Sequence, residues 1–436
     1  MNYFITTIFL SFSCMFLHGQ WEKAGLSAKI IMSIYELNDT LYATTHDGIY
    51  KKGIYTEDTN WVSIGMKGEV ILDLVLFSHS EMMLAKQLNA YPDTISIYRT
   101  TDGGAHWNEF QNGFGGPGGG YYGLTACAQL EIDSRYPDTI YARGGYVVAK
   151  STDRGNSWEL KYPEEWDALG YQSTIMKIDT NKPSHIWAGG ELPLFQAFLL
   201  KSTDYGNTWE QFDDEMNPEQ NNASNCLFIN PDDSDDLFLG MEGRIMRSRD
   251  GAHTWDSVLT PPSYTYILDI ALSKTNPGIL YATGSDNGTL HGDLMFYASY
   301  DFGTSWDTVY SGIGNDFYAN DLLIREDSGR DKLFFGTNKG VYTYTTKVTQ
   351  TSEKMLENDI RVYPNPVQDK LNVCFKNKHL GDIEIQMINI HGQTITRSKL
   401  TSGGLTILDV SHLTPGFYIL QVIGQNRQMA LPVVKR

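Results

Sequence analysis

Carboxylates and aromatic rings are concentrated in a few loop-like segments of the sequence. The acidic candidates for catalysis are Glu164, Glu165, Asp167, Asp214 and Asp316. The aromatic candidates for ligand binding are Tyr121, Tyr122, Trp166, Tyr171, Tyr264, Tyr266, Phe317 and Tyr318. Two carboxylates about 5–9.5 Å apart can hydrolyse a glycosidic bond, and aromatic rings offer apolar faces with polar edges to a sugar. The segments therefore suggest carbohydrate binding or hydrolysis, and the alternative is that they are solvated loops whose rings pack on the ends of strands.

Other kinds of chemistry find less support. The chain carries 34 Lys+Arg against 52 Asp+Glu, a formal charge of −18, so a nucleic acid would be repelled. The 4 cysteines have no short spacing, and no Ser-His-Asp set or metal-spaced histidine pair occurs, so we expect neither a metal nor a cofactor. The run Gly113-x-Gly115-x-x-Gly118 lacks the strand-to-helix context of a dinucleotide site. The acidic run 232–236 could bind calcium, but it better fits a solvated turn between two strands.

A repeat marks the elements that must position these segments. The pattern Ser/Thr-x-Asp-x-Gly-x-x-Trp occurs five times, with Ala252 as the one break at the glycine position. Its aspartates and tryptophans are Asp102 and Trp107, Asp153 and Trp158, Asp204 and Trp209, Asp250 and Trp255, and Asp301 and Trp306. The aspartate can accept hydrogen bonds from turn amides, the glycine permits a positive φ, and the tryptophan packs the turn against its sheet. Each copy therefore predicts a strand, a tight turn and a strand.

The spacing of the repeats predicts a β-propeller. With Trp21 and Trp61 included, the tryptophans recur at intervals of 40 to 51 residues, the range of four-stranded blades. Upstream of each copy, as in 132–142, two apolar strands flank a polar turn. The last unit, 320–346, lacks a tryptophan motif, and 21–25 can supply its fourth strand. We predict an all-β fold: a seven-bladed β-propeller closed by the N-terminal strand, followed by a small antiparallel β-sandwich.

The five motifs resemble the Asp-box (BNR) repeats of the sialidase, sortilin and xyloglucanase-like superfamily. In those families the box is a structural turn at the outer rim, on the face opposite the binding site. The resemblance covers residues 20–348 and implies the fold, but one fold hosts many functions. The early arginine of the sialidase triad is absent, since the first arginine is Arg99. The sequence favours a binding or scaffold protein with a glycan or protein ligand, and the alternatives are a glycoside hydrolase and a protein-interaction or assembly factor.

Residues 1–19 have the pattern of a signal peptide. An apolar run over 4–17 ends at Gly19-Gln20 and is shorter than the about 20 residues of a membrane span. No Lys or Arg precedes the run, which departs from the usual pattern. No other stretch reaches transmembrane length. We expect cleavage near Gly19 and a protein that leaves the cytoplasm, and we expect this protein to be monomeric.

The C-terminal residues carry a second resemblance. After a polar linker at 349–358, alternating apolar segments in 359–436 predict the β-sandwich. The motif Tyr363, Pro364, Asn365 and Pro366, the turn glycine Gly416, and the terminal Lys435 and Arg436 are similar to the C-terminal sorting domain of the type IX secretion system. The resemblance implies a Bacteroidetes-type bacterium, the secretion machinery as a partner, and export through the periplasm to the outer-membrane surface or the medium. The alternative is an accessory binding module.

Overall fold

The structure is a computed structural model. It describes residues 20–55, 60–88, 95–115, 126–145, 147–163, 172–192, 196–212, 223–261, 265–286, 292–309, 316–346, 360–375, 383–389, 394–400, 405–424 and 427–436. The chain divides into two compact units, one formed mainly by residues before 348 and the other by Val348–Arg436 with Tyr300–Phe302. None of the described residues is helical, so none lies in a helix that could cross a membrane.

The described part of the first unit consists of four-stranded antiparallel sheets. The first strand is β1 (Gln20–Gly25), which belongs to the last sheet. The next three sheets are β2 (Ile31–Leu37), β3 (Thr40–Thr45), β4 (Gly48–Gly53) and β5 (Val62–Ser63); β6 (Ile71–Leu76), β7 (Met82–Lys86), β8 (Ile97–Thr100) and β9 (Asn108–Glu109); and β10 (Cys127–Ile132), β11 (Ile140–Gly144), β12 (Val148–Ser151) and β13 (Glu159–Tyr162).

Three further sheets of the same kind follow, and a final one completes the unit. The three are β14 (Gln172–Ile178), β15 (Ile186–Leu192), β16 (Gln196–Ser202) and β17 (Glu210–Phe212); β18 (Ser224–Asn230), β19 (Asp233–Met241), β20 (Arg244–Ser248) and β21 (Asp256–Leu259); and β22 (Thr265–Leu272), β23 (Leu280–Asp286), β24 (Leu294–Ser299) and β25 (Asp307–Thr308). The final sheet contains β26 (Ala319–Asp327), β27 (Arg330–Thr337) and β28 (Gly340–Thr345), with β1 as its fourth strand.

The first strand of each sheet carries a bulge at the same register. Its pairing with the second strand shifts directly after Ile31, Ile71, Cys127, Ser173, Ser224, Ile267 and Ala319. One extra residue at such a point bends and twists the strand. The bulged strands lie beside one another in sequence order, β2 next to β6 and so on to β26, and β26 in turn lies next to β2.

β1 joins the two ends of this unit. It pairs antiparallel with β28, where Trp21 lies opposite Tyr344. The ring centroid of Trp21 is 5.0 Å from that of Tyr344 and 4.9 Å from that of Phe335. On the other side, the indole N–H of Trp61 donates to the Ala24 carbonyl at 2.9 Å. The N-terminal strand therefore contacts both the last sheet and the first.

The repeated aspartates fold the turns between the third and fourth strands. Asp204 Oδ1 accepts hydrogen bonds from the Thr208 amide and the Ser202 hydroxyl, both at 2.8 Å, and that hydroxyl accepts one from the Gly206 amide at 2.8 Å. The turns of Asp102, Asp153 and Asp250 contain the same bonds. The Thr208 amide, followed by the hydroxyl bonds, lowers the pKa of Asp204 to about 2.

Two of the tryptophans in these turns, Trp107 and Trp209, form a hydrogen bond to the preceding sheet. The indole N–H of Trp107 donates to the Ile64 carbonyl of the preceding sheet at 3.0 Å. The glycine of the same turn permits this approach, because a Cβ added at Gly104 would lie 2.2 Å from the Ile64 carbonyl oxygen. In the turn where alanine replaces glycine, the indole of Trp255 donates to the Ala252 carbonyl itself at 3.1 Å. The indole of the broken motif therefore bonds within its own turn, unlike those of Trp107 and Trp209.

The acidic run 232–236 is only in part the solvated turn that the sequence suggested, since Asp232 and Asp233 are exposed but the later residues are not. β19 begins at Asp233, so most of the run belongs to a strand. Asp236 is 7% exposed, and its two carboxylate oxygens accept hydrogen bonds from the Arg247 guanidinium at 2.8 and 2.9 Å. A bidentate arginine explains why a carboxylate is tolerated at this buried position.

The second unit packs two small sheets against each other. One has the order β29-β30-β33 and the other β32-β31-β34-β35. The strands are β29 (Ile360–Tyr363), β30 (Lys370–Phe375), β31 (Ile383–Asn389), β32 (Thr394–Leu400), β33 (Leu405–Asp409), β34 (Gly416–Gly424) and β35 (Arg427–Lys435). Their shared core includes Leu371 and Val373 from one sheet and Ile385, Met387 and Leu420 from the other.

Candidate functional site

Most of the residues that the sequence singled out for ligand contact lie outside the described residues. They are Tyr121, Tyr122, Glu164, Glu165, Trp166, Asp167, Tyr171, Asp214 and Tyr264. The described strands nevertheless fix where these connections begin and end. Residues 164–171 lead into Gln172, the first residue of β14, and 213–222 lead into Ala223, just before β18. Both connections therefore end at the edge where the first strands of these sheets begin.

Two of the predicted ligand-binding rings are buried. Phe317 is 1% exposed, and its ring lies 4.9 Å from that of Tyr342 in a T-shaped contact. Tyr318 is 6% exposed, and its amide donates to Asn338 Oδ1 at 3.1 Å. Neither ring offers a face to a ligand, because both pack the end of the last sheet. The neighbouring Asp316 is exposed, with a φ of 60°.

Tyr266 is the predicted ring that the structure places in a chemically suggestive position. It is half-buried in β22, and its backbone forms a bridge with Glu242, the residue after β19. A third residue, Glu191, lies at the end of β15. The hydroxyl of Ser224 donates to the Gly190 carbonyl at 2.8 Å, and Ser224 also pairs with Met241. Glu191, which follows Gly190, and Glu242, which follows Met241, are therefore held next to each other.

The electrostatics of this group agree with the geometry. Burial, followed by the negative charge of Glu242, raises the pKa of Glu191. Burial also raises the pKa of Tyr266, and its interaction with Glu242 adds to the effect. We call Glu191, Glu242 and Tyr266 the edge triad. Three sheets contribute one residue each, at the edge into which residues 164–171 and 213–222 lead.

A second group of charged residues lies on the bulged first strands of the sheets. Asp73 Oδ2 accepts a hydrogen bond from the Leu130 amide at 2.6 Å, across two neighbouring sheets. The same arrangement recurs between Asp269 and the Leu322 amide at 3.0 Å, and between Asp321 and the Ile34 amide at 2.7 Å. Each of the three aspartates directly follows a bulge. Their hydrogen bonds therefore join the first strand of one sheet to the first strand of a neighbouring sheet.

Lys177 is a cation whose charge acts on all three aspartates. Its Nζ lies 3.7 Å from Glu131 Oε1, and the side chain is 48% exposed. The charge of Glu131 raises the pKa of Lys177, with further contributions from Asp269 and Asp321. Burial, then the negative charge of Asp269, raises the pKa of Asp321 to about 8. Because the aspartate oxygens already bond to backbone amides, this group acts as a structural tie between sheets. Among the described residues, no cluster of His, Cys, Asp and Glu is arranged to hold a metal ion.

The residues predicted for sorting come together from both ends of the second unit. Asn365 Oδ1 accepts a hydrogen bond from the Val434 amide at 2.8 Å, and the Arg436 amide donates to the Val367 carbonyl at 2.8 Å. Gly416 pairs with Lys435 across β34 and β35. A cleft of about 470 Å³ is lined by Pro364, Pro366, Gln368, Asp369, Lys370 and Arg436. The two sequence motifs therefore form one surface.

Two models of known protein families match parts of the chain. A model described as secretion system C-terminal sorting domain matches residues 361–436. A model described as Sortilin, neurotensin receptor 3, matches residues 198–378. No curated protein matches the chain.

Two solved structures with a TM-score of 0.50 or more share the fold at low sequence identity. The GH74 xyloglucanase from Xanthomonas campestris is 12% identical with a TM-score of 0.56, over 95% of this chain and 68% of that one. The extracellular domain of a one-component system protein from B. thetaiotaomicron is also 12% identical, with a TM-score of 0.50, over 94% and 57% of the two chains. An ancestral GH74 enzyme is 15% identical with a TM-score of 0.47, over 76% of this chain, and this chain spans 38% of its length.

Proposed function

We propose that this chain, a β-propeller with a type IX secretion sorting domain at its C-terminus, is an extracellular binding module whose ligand contacts the edge triad. The sorting domain sends the chain to the cell surface or the medium by type IX secretion. The observation that carries the binding proposal is the meeting of Glu191, Glu242 and Tyr266 from three different sheets. An acidic pair beside a tyrosine suits the hydroxyl groups of a carbohydrate, because carboxylates accept hydrogen bonds and the ring offers an apolar face.

We further propose that the first unit is a single closed ring of seven Asp-box blades. The recurring bulge, the contact of β26 with β2 and the pairing of β1 with β28 support this arrangement. The corresponding domains are a signal peptide at 1–19, the propeller at 20–348, a linker at 349–358 and the sorting domain at 359–436. In such a ring the edge triad lies on the face where the first strands of the sheets begin.

Glycan-array binding by the exported protein tests the ligand class. Wild type is expected to bind a subset of glycans, and Tyr266→Ala is expected to abolish that binding. Tyr136→Ala is the matched control, because Tyr136 is 58% exposed in the turn at the opposite end of a sheet. An array without signal would contradict a carbohydrate ligand, and capture of a protein by the same face would support an interaction factor instead.

A glycoside hydrolase is the second candidate, and the raised pKa of Glu191 beside a second carboxylate favours it. Glu191 would then be the proton donor and Glu242 the ionised partner. A panel of polysaccharides should show activity that Glu191→Gln and Glu242→Gln each abolish. Activity that survives both changes would leave Glu165, Asp214 and Asp316 as the alternative acids. Loss of activity in Glu165→Gln, Asp214→Asn or Asp316→Asn would then identify them.

A further inference from the structure

Strand β34 of the four-stranded sheet in the sorting unit begins with apolar residues on both of its faces. On β34, Tyr418, Leu420 and Val422 are buried in the core. Phe417 and Ile419, which alternate with them, point to the other face and are 69% and 43% exposed. A strand with one solvated face alternates apolar and polar residues, whereas a strand that is apolar on both sides is typical of a sheet covered on both faces. The first half of β34 therefore has the composition of a strand with a cover on its second face, whereas Gln421 makes the same face polar further along.

The exposed residues of β34 belong to a continuous patch. Ile419 lies directly opposite Ile388 of β31, and Phe417 lies opposite Val434 of β35. Ile388 and Val434 are each half-buried. We call Phe417, Ile419, Ile388 and Val434 the outer patch. It spans three adjacent strands on the side of the sheet that faces away from the core.

Charged residues lie further along the same face of the sheet. Arg397 of β32 has a side chain that is 61% exposed and bonds Glu384 at 2.7 Å. Lys399 is exposed and lies opposite Glu384 in the sheet. Residues 359–436 hold 9 Lys+Arg against 5 Asp+Glu, although the whole chain is acidic. A partner that covers the patch and extends along this face is therefore expected to carry carboxylates beside its apolar segment.

The outer patch also adjoins the sorting motifs. Phe417 follows Gly416 directly, and Val434 immediately precedes Lys435. These two pairs lie opposite each other in β34 and β35. The same short stretch of sheet thus contains residues of the sorting motif and the most exposed large apolar side chain of this unit among those described.

We propose that the outer patch is the surface by which the secretion machinery engages the sorting domain. Its partner is a protein of that machinery that presents an apolar segment flanked by carboxylates. The proposal concerns export alone, so its failure would leave the ligand-binding proposal for the edge triad untouched.

The test replaces the patch in the full-length chain. Phe417→Thr with Ile419→Thr keeps strand propensity but removes the apolar cover. The fraction of protein that external protease cleaves on intact cells should fall about tenfold or more, as for the central residues of an interface. Ile407→Thr is the matched control, because Ile407 is 56% exposed on β33 of the other sheet. Normal display of the double variant would overturn the proposal.

Two further measurements separate docking from misfolding. A photo-crosslinking amino acid at position 417 should join the chain to a protein of the secretion machinery, while the same group at position 407 should not. Crosslinks only to a second copy of this chain would overturn the proposal and assign the patch to self-association. Lys399→Glu should lower display and Lys399→Arg should preserve it, whereas equal display of both would refute an acidic partner.

Discussion

The turn glycines should tolerate a methyl group very differently, depending on what lies beside them. Gly303 has a φ of +73°, and a Cβ there would lie 2.1 Å from Phe238 Cε1. That ring cannot move aside, because it is fully buried and the Arg247 guanidinium stacks on it at 4.6 Å. Gly329 has nearly the same φ, +76°, but no atom within 4 Å of the added Cβ. A comparison of Gly303→Ala with Gly329→Ala therefore separates the cost of backbone strain from the cost of steric overlap.

The expected magnitudes follow from these two geometries. A positive φ costs an alanine about 1–2 kcal/mol in either turn, and overpacking a buried ring adds roughly 1–3 kcal/mol at Gly303. Gly303→Ala should thus lose more unfolding free energy than Gly329→Ala by about 1–3 kcal/mol, or a few degrees in Tm. Denaturant unfolding followed by tryptophan fluorescence reports on the first unit alone, since all 9 tryptophans precede residue 348. Equal losses for the two variants would refute close packing of this turn on the neighbouring sheet.

Three further predictions concern bonds that join or fold the sheets. Trp107→Phe should destabilise the chain by about 1 kcal/mol more than Trp255→Phe in denaturant unfolding, because the indole of Trp107 donates to a neighbouring sheet whereas that of Trp255 donates within its own turn; equal losses would contradict this. The folded pKa of Asp321, about 8, exceeds the unfolded value of about 3.9, so its contribution to stability falls as pH rises from about 4 to 8. Asp321→Asn should flatten the pH dependence of the unfolding midpoint in that window, and an unchanged profile would disprove the raised pKa. The folded pKa of Asp204, about 2, lies below the unfolded value, so its stabilisation is present above pH 4 and is lost as pH falls to about 2. Asp204→Asn should therefore reduce the loss of stability on acidification, which an acid titration followed by fluorescence would measure.

The sheet pattern could be predicted because its signals are local. The Asp204 turn places the hydroxyl, carboxylate and amide that bond one another within a few residues, so one short motif specifies the turn. Trp21 was recognisable because it follows the same spacing as the later tryptophans. The bulges and the aspartates that follow them were missed, since a bulge depends on how two strands pair. A weak signal existed, because Asp73, Asp269 and Asp321 each lie within a strand directly before an apolar residue.

The candidate site could be predicted only in part. Tyr266 was found because it follows an aromatic connecting segment, but Glu191 and Glu242 are single carboxylates at strand ends with no local motif. They meet only because neighbouring sheets bring their strand ends together. Phe317 and Tyr318 show the opposite error: rings in a connection looked available to a ligand, yet they fill the end of a sheet. Composition does not distinguish a ring that packs from a ring that binds.

Removal of residues 359–436 tests the account of an exported surface or secreted protein most directly. The full-length chain should be cleaved by external protease on intact cells or appear in the medium. The truncated chain should be protected in intact cells and become accessible only when the outer membrane is opened. Surface display or release of the truncated chain at the level of the full-length chain would contradict the role of the sorting domain.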